Sequence, residues 1–443
     1  MPANVQVLLG SSSGVFTKGA TFSIEPSPSP ASLAAAELST DGNLDLIVSG
    51  NGVTTLFRGD GKGGFSQGFS YAASGVPLIG DLNADGKPDL LLEDAFFGTP
   101  TGAGFLLLYG NGDGSFQAMP TTPTNTNGNV VYADLNGDGI ADAVYEVGQA
   151  QSATSASSLV SALGRGDGTF IILDQTIPLS GSGVSSLALG DLNEDGKPDL
   201  AAVTGTTTCP APTGNNGSLA IYPGNGDGTF KTAISVTGLP SYVGVSAPVS
   251  GDFNGDGKLD LVIPYGYTCL TEYPAPQPGL IFLPGNGDGT FGTPVYFSQN
   301  VYGSNLLVGD LNQDGKLDLI WQNINEQGGF PEGGTVYLGN GDGTFKQMPL
   351  NLPRSLPQSM ALMALTDLNG DGYPDLVILS GRSNLAIYAG NGDGTFQTTP
   401  FYAVPLPPEI TVETVSVGGV NGDGHPDIVV MYSGLEPSAG LRF

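Results

Sequence analysis

Cysteine, histidine, tryptophan and basic side chains are all scarce in this chain of 443 residues: two Cys, one His, one Trp and 13 Lys plus Arg. Each scarcity excludes a class of function. Two cysteines cannot build a Cys-rich zinc site or a disulfide-dense scaffold. A single histidine, His425, sits inside an acidic loop, and no Ser-His-Asp or Cys-His arrangement assembles around it. Thirteen cations set against 42 acids give a net charge of −29 and leave no basic stripe for a nucleic acid. No apolar run approaches the ~20 residues of a membrane-spanning helix. The opening Met-Pro-Ala-Asn-Val does not read as a signal peptide and leads straight into a strand-like run, which points to a processed or trimmed form.

What the chain has in quantity is acid in a fixed pattern. Asp-x-Asn-x-Asp-Gly-x-x-Asp followed by an apolar residue occurs intact from Asp81, Asp134, Asp191, Asp252, Asp310 and Asp367. Altered copies begin at Glu37 and Gly419, and successive starts lie 44, 53, 57, 61, 58, 57 and 52 residues apart. Oxygen donors at alternate positions, followed by a Gly that permits positive φ, suit a hard divalent cation. A second motif, Gly-Asn-Gly-Asp-Gly-Thr-Phe, recurs nearly unchanged at 110–116, 224–230, 285–291, 339–345 and 390–396, with an Arg variant at 164–170. Its Asn-Gly and Asp-Gly steps favour a tight hairpin, so a structural turn is preferred to a second cation site. Together the two motifs hold 29 of the 42 acids.

Between the motifs lie short apolar runs. In the fourth unit, Val184–Leu189, Leu200–Val203, Leu219–Tyr222 and about Thr232–Val236 read as four strands, A to D. Four short strands with Gly-rich turns repeated about every 55 residues describe a propeller blade. The fold class is therefore all-β, a single β-propeller domain over residues 1–443. Residues 5–24 read as strands C and D alone and residues 412–432 as strands A and B alone. Joining them makes an eighth blade and hides two sheet edges; seven blades with frayed additions is the alternative.

These residues resemble the FG-GAP/VCBS repeat family, whose repeats occur in integrin α-subunit propellers and in fungal and bacterial lectins. The resemblance spans about residues 5–432 and rests on these fourteen motif copies. It implies calcium, about six to eight ions, held in the A–B loops by side chains at positions 1, 3, 5 and 9 and a carbonyl at 7. For the intact loops those residues are Asp81, Asn83, Asp85, Lys87 and Asp89; Asp134, Asn136, Asp138, Ile140 and Asp142; Asp191, Asn193, Asp195, Lys197 and Asp199. The other three sets are Asp252, Asn254, Asp256, Lys258 and Asp260; Asp310, Asn312, Asp314, Lys316 and Asp318; Asp367, Asn369, Asp371, Tyr373 and Asp375. The first loop offers Glu37, Ser39, Asp41 and Asp45, and the last only Asn421, Asp423 and Asp427, which weakens both sites. An EF-hand would need Glu at position 12, where the second loop has Leu92.

Alternation of strands places the A–B and C–D turns on one face and the B–C and D–A loops on the other. The long loops Glu93–Phe105, Glu146–Ser158, Thr204–Ser218, Pro264–Gly279 and Gln322–Gly334 fall on that second face. Loops on a rigid scaffold are where recognition is built. Their aromatics, Phe96, Phe97, Tyr265, Tyr267, Tyr273 and Phe330, are the candidate ligand contacts, because aromatic faces stack on sugar rings and fill interface pockets. Trp321 falls where other units carry Val48, Leu92, Tyr145, Ala202, Ile263, Ile378 and Val430, so it is assigned to the core. Two Arg-Gly-Asp tripeptides, 58–60 and 165–167, are assigned to turn chemistry. Cys209 and Cys269 lie in B–C loops of adjacent units, so a disulfide between them competes with two free thiols.

The resulting expectation is a secreted or cell-surface calcium propeller that binds a glycan or a surface protein, with neither nucleic acid nor membrane insertion. Millimolar extracellular calcium suits Asp loops of moderate affinity. The alternatives are a calcium-dependent polysaccharide lyase and a purely structural adhesion domain. The long loops carry no Lys, Arg or His to serve a lyase as base.

Overall fold

The computed structural model describes the chain apart from residues 1–2, 13, 25–30, 51, 73–74, 76, 84, 95–103, 119–125, 148–157, 167–168, 180–183, 205–217, 237–238, 240–247, 266–278, 300–301, 325–332, 353–359, 405, 407–409 and 434–443. The described residues form eight four-stranded antiparallel sheets and no helix. Seven sheets use four consecutive strands. In the first, these are Ala31–Ala36, Asp45–Gly50, Val53–Gly59 and Phe65–Tyr71. The eighth joins Thr411–Gly418 and Asp427–Ser433 to Ala3–Leu9 and Thr17–Ile24, in the order A, B, C, D. Its seam pairs Val5 with Met431 and Val7 with Val429. The ring is thus eight-bladed and closed by the two ends of the chain, and the seven-bladed alternative falls.

The runs that follow each acidic loop are continuous rather than alternating because a strand B is covered on both sheet faces by neighbouring blades. Asp45–Gly50 and Asp260–Tyr265 are buried at every position. Strands D form the outer rim and are mostly exposed, as in Phe65–Tyr71. The core consequently lies between blades. One cluster joins Leu385 and Ile387 of the seventh blade to Leu8, Val430 and Tyr432 of the eighth. Another joins Phe253, Val262 and Phe282 of the fifth to Leu319, Trp321 and Tyr337 of the sixth. Trp321 is 1% exposed, as its position relative to the acidic loop implied.

Strands D are less regular than expected. In the fourth blade strand D is only Ile234–Ser235, where the sequence indicated Thr232–Val236. Its pairing with strand C is interrupted rather than lost: Gly224 bridges Phe230, Lys231 N–H donates to Pro223 O, and Val236 N–H donates to Leu219 O. The turn's closing residues take up part of the ladder, so regular strand starts late.

Acidic loops, tight turns and the opposite face

The A–B loops hold their shape through their own acceptors. In the second loop Asp81 Oδ2 accepts the N–H of Gly86 at 2.8 Å, Asn83 Oδ1 that of Asp85 at 2.9 Å, and Asp85 Oδ1 that of Lys87 at 2.9 Å. Position 6 has positive φ throughout, as in Gly86 (82°) and Gly372 (92°). Position 4 does too in every loop where it is described, and supplies the positive-φ non-glycines Thr40, Glu194 and Gln313. Two of these side chains tie neighbouring blades: Thr40 Oγ1 donates to Gly112 O at 2.6 Å, and Gln313 Nε2 to Gly372 O.

Position 9 has a different job. Asp89, Asp142, Asp199, Asp260, Asp318, Asp375 and Asp427 have no exposed surface, and Asp45 only 2%. One oxygen of Asp89 accepts Leu82 N–H and the other accepts Gly110 N–H, each at 2.8 Å. The same carboxylate links its A–B loop to the first glycine of the C–D turn in every blade, at Gly59, Gly164, Gly224, Gly285, Gly339 and Gly390. In the closing blade Asp427 Oδ1 accepts Gly10 N–H at 2.7 Å, across the seam. These first glycines do not have positive φ. A Cβ on any of them would overlap the carbonyl of loop position 8, such as Pro88 O opposite Gly110 or Leu317 O opposite Gly339. Close approach of two backbones, rather than turn geometry, requires glycine there.

Burial lifts seven of these carboxyls (Asp89, Asp142, Asp199, Asp260, Asp318, Asp375 and Asp427) above the usual range. The paired N–H groups oppose that rise and neighbouring Asp charges add to it; Asp318 and Asp375 are pushed up to about 6. A site whose acids repel one another in this way gains from a cation. The donor set of carboxylates, an amide oxygen and a carbonyl is that of a hard cation. Among the described residues no three His, Cys, Asp or Glu side chains converge as in a formed metal centre. Position 9 is turned toward backbone donors.

The C–D turns satisfy their own acids. Asp227 Oδ1 accepts both the N–H and the hydroxyl of Thr229, and Asn225 Nδ2 donates to the same hydroxyl. The hydroxyl first, then the N–H, hold Asp113, Asp227, Asp288, Asp342 and Asp393 below the usual carboxylate range. The turn's Phe is buried in some blades, at 3% for Phe230 and 1% for Phe396, and half-buried in others, as at Phe170, Phe291 and Phe345. In three of these turns its backbone is latched by the preceding blade. Gln175, Asn351 and Tyr71 each donate to the C=O and accept from the N–H of Phe230, Phe396 and Phe116 respectively. Three unlike residues perform one task, so no motif announces it. In the first Arg-Gly-Asp, Asp60 Oδ1 accepts the N–H groups of Lys62 and Gly64, each at 2.8 Å, which is turn chemistry.

On the opposite face, Tyr265 corrects an expectation. It is the last residue of strand B in the fifth blade, 6% exposed, with its ring edge-on to Tyr296 at 5.5 Å. Burial pushes its hydroxyl pKa up to about 12. Extension of the strand to Tyr265 turns the ring into the core, away from any ligand. Phe96, Phe97, Tyr267, Tyr273, Phe330, Cys209 and Cys269 lie outside the described residues.

The family comparison agrees with this architecture. A model of the FG-GAP-like repeat matches residues 38–92, 81–145, 152–202, 211–263, 276–321 and 367–430. Integrin alpha-IIb of Mus musculus is 28% identical over 168 residues, which is 34% of this chain and 16% of the integrin subunit. Among solved structures, a lectin of Agrocybe aegerita is matched at 17% identity and a TM-score of 0.49, over 97% of this chain and 94% of the lectin chain. That structure is described as the basis of specific recognition of non-reducing terminal N-acetylglucosamine.

Proposed function

Because the chain belongs to the FG-GAP-like repeat family, we propose that it is a calcium-stabilised, extracellular binding propeller that takes a glycan through its B–C loops. One observation carries the reading: the repeated acids lock loop to turn on one face, as Asp89 does between Leu82 and Gly110. Recognition then falls to the long, non-repeating loops between strands B and C. Tyr267, Tyr273, Phe96, Phe97 and Phe330 in these loops supply rings that can stack on sugars. A surface protein is the second ligand class, supported by the partial likeness to an integrin subunit. The same loops hold no Lys, Arg or His, which argues against a lyase.

Calcium would be held by positions 1, 3, 5 and 9 and the position-7 carbonyl of the six intact loops, and would offset the mutual repulsion of their carboxylates. Millimolar extracellular calcium favours a secreted or cell-surface setting. Among the described residues no helix is long and apolar enough to cross a membrane. A glycan array with and without chelator, repeated with Tyr267→Ala and Tyr273→Ala, tests the reading. Binding that fades in both variants is expected; no glycan bound under any condition would remove the sugar assignment.

A further inference from the structure

The first blade departs from the other seven in two places at once. Its A–B loop keeps three acids, Glu37, Asp41 and Asp45, but replaces the Asp and Asn of positions 1 and 3 with Glu37 and Ser39. The residue before the clasped glycine of its C–D turn is Arg58. In the other blades that residue is Tyr109, Leu163, Pro223, Pro284, Leu338, Ala389 or Leu9. The only cation at this place in the ring therefore belongs to a loop with an altered ligand set. Arg58 Nη2 lies 3.4 Å from Asp41 Oδ2. Asp41 Oδ1 is taken by Asn43 N–H at 2.9 Å, and Glu37 Oε1 by Gly42 N–H at 3.0 Å. The charge of Arg58 also reaches Asp113 in the turn of the second blade, whose Gly112 O accepts the Thr40 hydroxyl.

We propose that Arg58 is the resident cation of the first loop, and that this loop is built to stand without a metal. The inference rests on calcium occupying the intact loops. Three carboxylates in one loop need positive charge nearby, and a guanidinium anchored on strand C supplies it without a ligand. A divalent ion would have to displace Arg58 from Asp41 and sit beside a like charge. Lys87 and Lys316 make similar 3.4 Å pairs with Asp85 and Asp314. Their stems, however, lie along Gly112 and Gly341 of their own C–D turns, and their loops carry the full donor set. The last loop meets its altered site differently: Gly419 removes an acid, and Leu9 stands where Arg58 does.

Native mass spectrometry of the full chain loaded with calcium tests this by counting ions. Asp85→Asn, in an intact loop, is expected to lose one ion, and Asp41→Asn none. Arg58→Gln is expected to gain one, because its loop regains uncompensated acid. Loss of an ion from Asp41→Asn overturns the proposal, and so does an unchanged count in Arg58→Gln. No ion on the unaltered protein, with nothing for Asp85→Asn to lose, overturns the calcium reading itself and this inference with it.

Discussion

Two turns share one face of this ring, and they use aspartate in opposite ways. In the C–D turn the carboxylate is exposed and satisfied within two residues, by the hydroxyl and N–H of one Thr. In the A–B loop the ninth-position carboxylate is fully buried and bridges 21 residues of chain, from Asp318 to Gly339. A group saturated locally shapes a hairpin and stops there. A group whose acceptors serve two separate segments makes each depend on the other. The comparison therefore separates decoration of a turn from closure of a blade, although both motifs read as Asp-Gly in sequence.

Several measurements would break or sharpen that contrast. The largest effect is expected from chelation. Ions that bind only the folded loops stabilise by about 2.7 kcal/mol per site at a hundredfold excess over Kd. The melting temperature should fall steeply in EDTA and recover with calcium; an unchanged melt sinks the metal assignment. Next comes Gly339→Ala, whose Cβ would overlap the Leu317 carbonyl. It should cost about 3 kcal/mol in urea unfolding, because a backbone atom cannot move aside. A neutral result would mean that the close approach is not needed.

Asp318→Asn keeps the shape but offers one acceptor where Leu311 and Gly339 both donate. About 2 kcal/mol should be lost in chelator, from the same unfolding measurement. Glu194→Gly relieves a φ of 60° at position 4 and should gain about 0.5 kcal/mol after the added freedom of the unfolded chain is counted. Asp342→Asn in the C–D turn should change least, leaving the unfolding midpoint almost where it was. If Asp342→Asn proved as costly as Asp318→Asn, the distinction between the two turns would fail.

Much of the fold was legible because a propeller repeats its signals. The acidic loop marks the A–B turn, the Gly-rich hairpin marks the C–D turn, and their counts at the two chain ends indicate an eighth, shared blade. The interior place of Trp321 was readable for the same reason: register within a repeat transfers from blade to blade. What lacked a repeated signal was not readable. Gln175, Asn351 and Tyr71 perform one latch with two chemistries, a carboxamide and a phenol, on three residue types, and Tyr265 looks like a loop aromatic until strand B is seen to include it.

Alone, then, the chain determined its repeat and its strand order and pointed to its closure, since these follow from local turn chemistry and from apolar runs that must be covered on both sides. Tertiary structure decided what each repeated residue does. It assigned the first turn glycine to a backbone contact rather than to positive φ, and the ninth Asp to a clasp between segments far apart in sequence. It also set Arg58 beside Asp41, a pairing made where the A–B loop meets the end of strand C. Such contacts depend on which segments are neighbours in space, and residue spacing along one chain does not encode that.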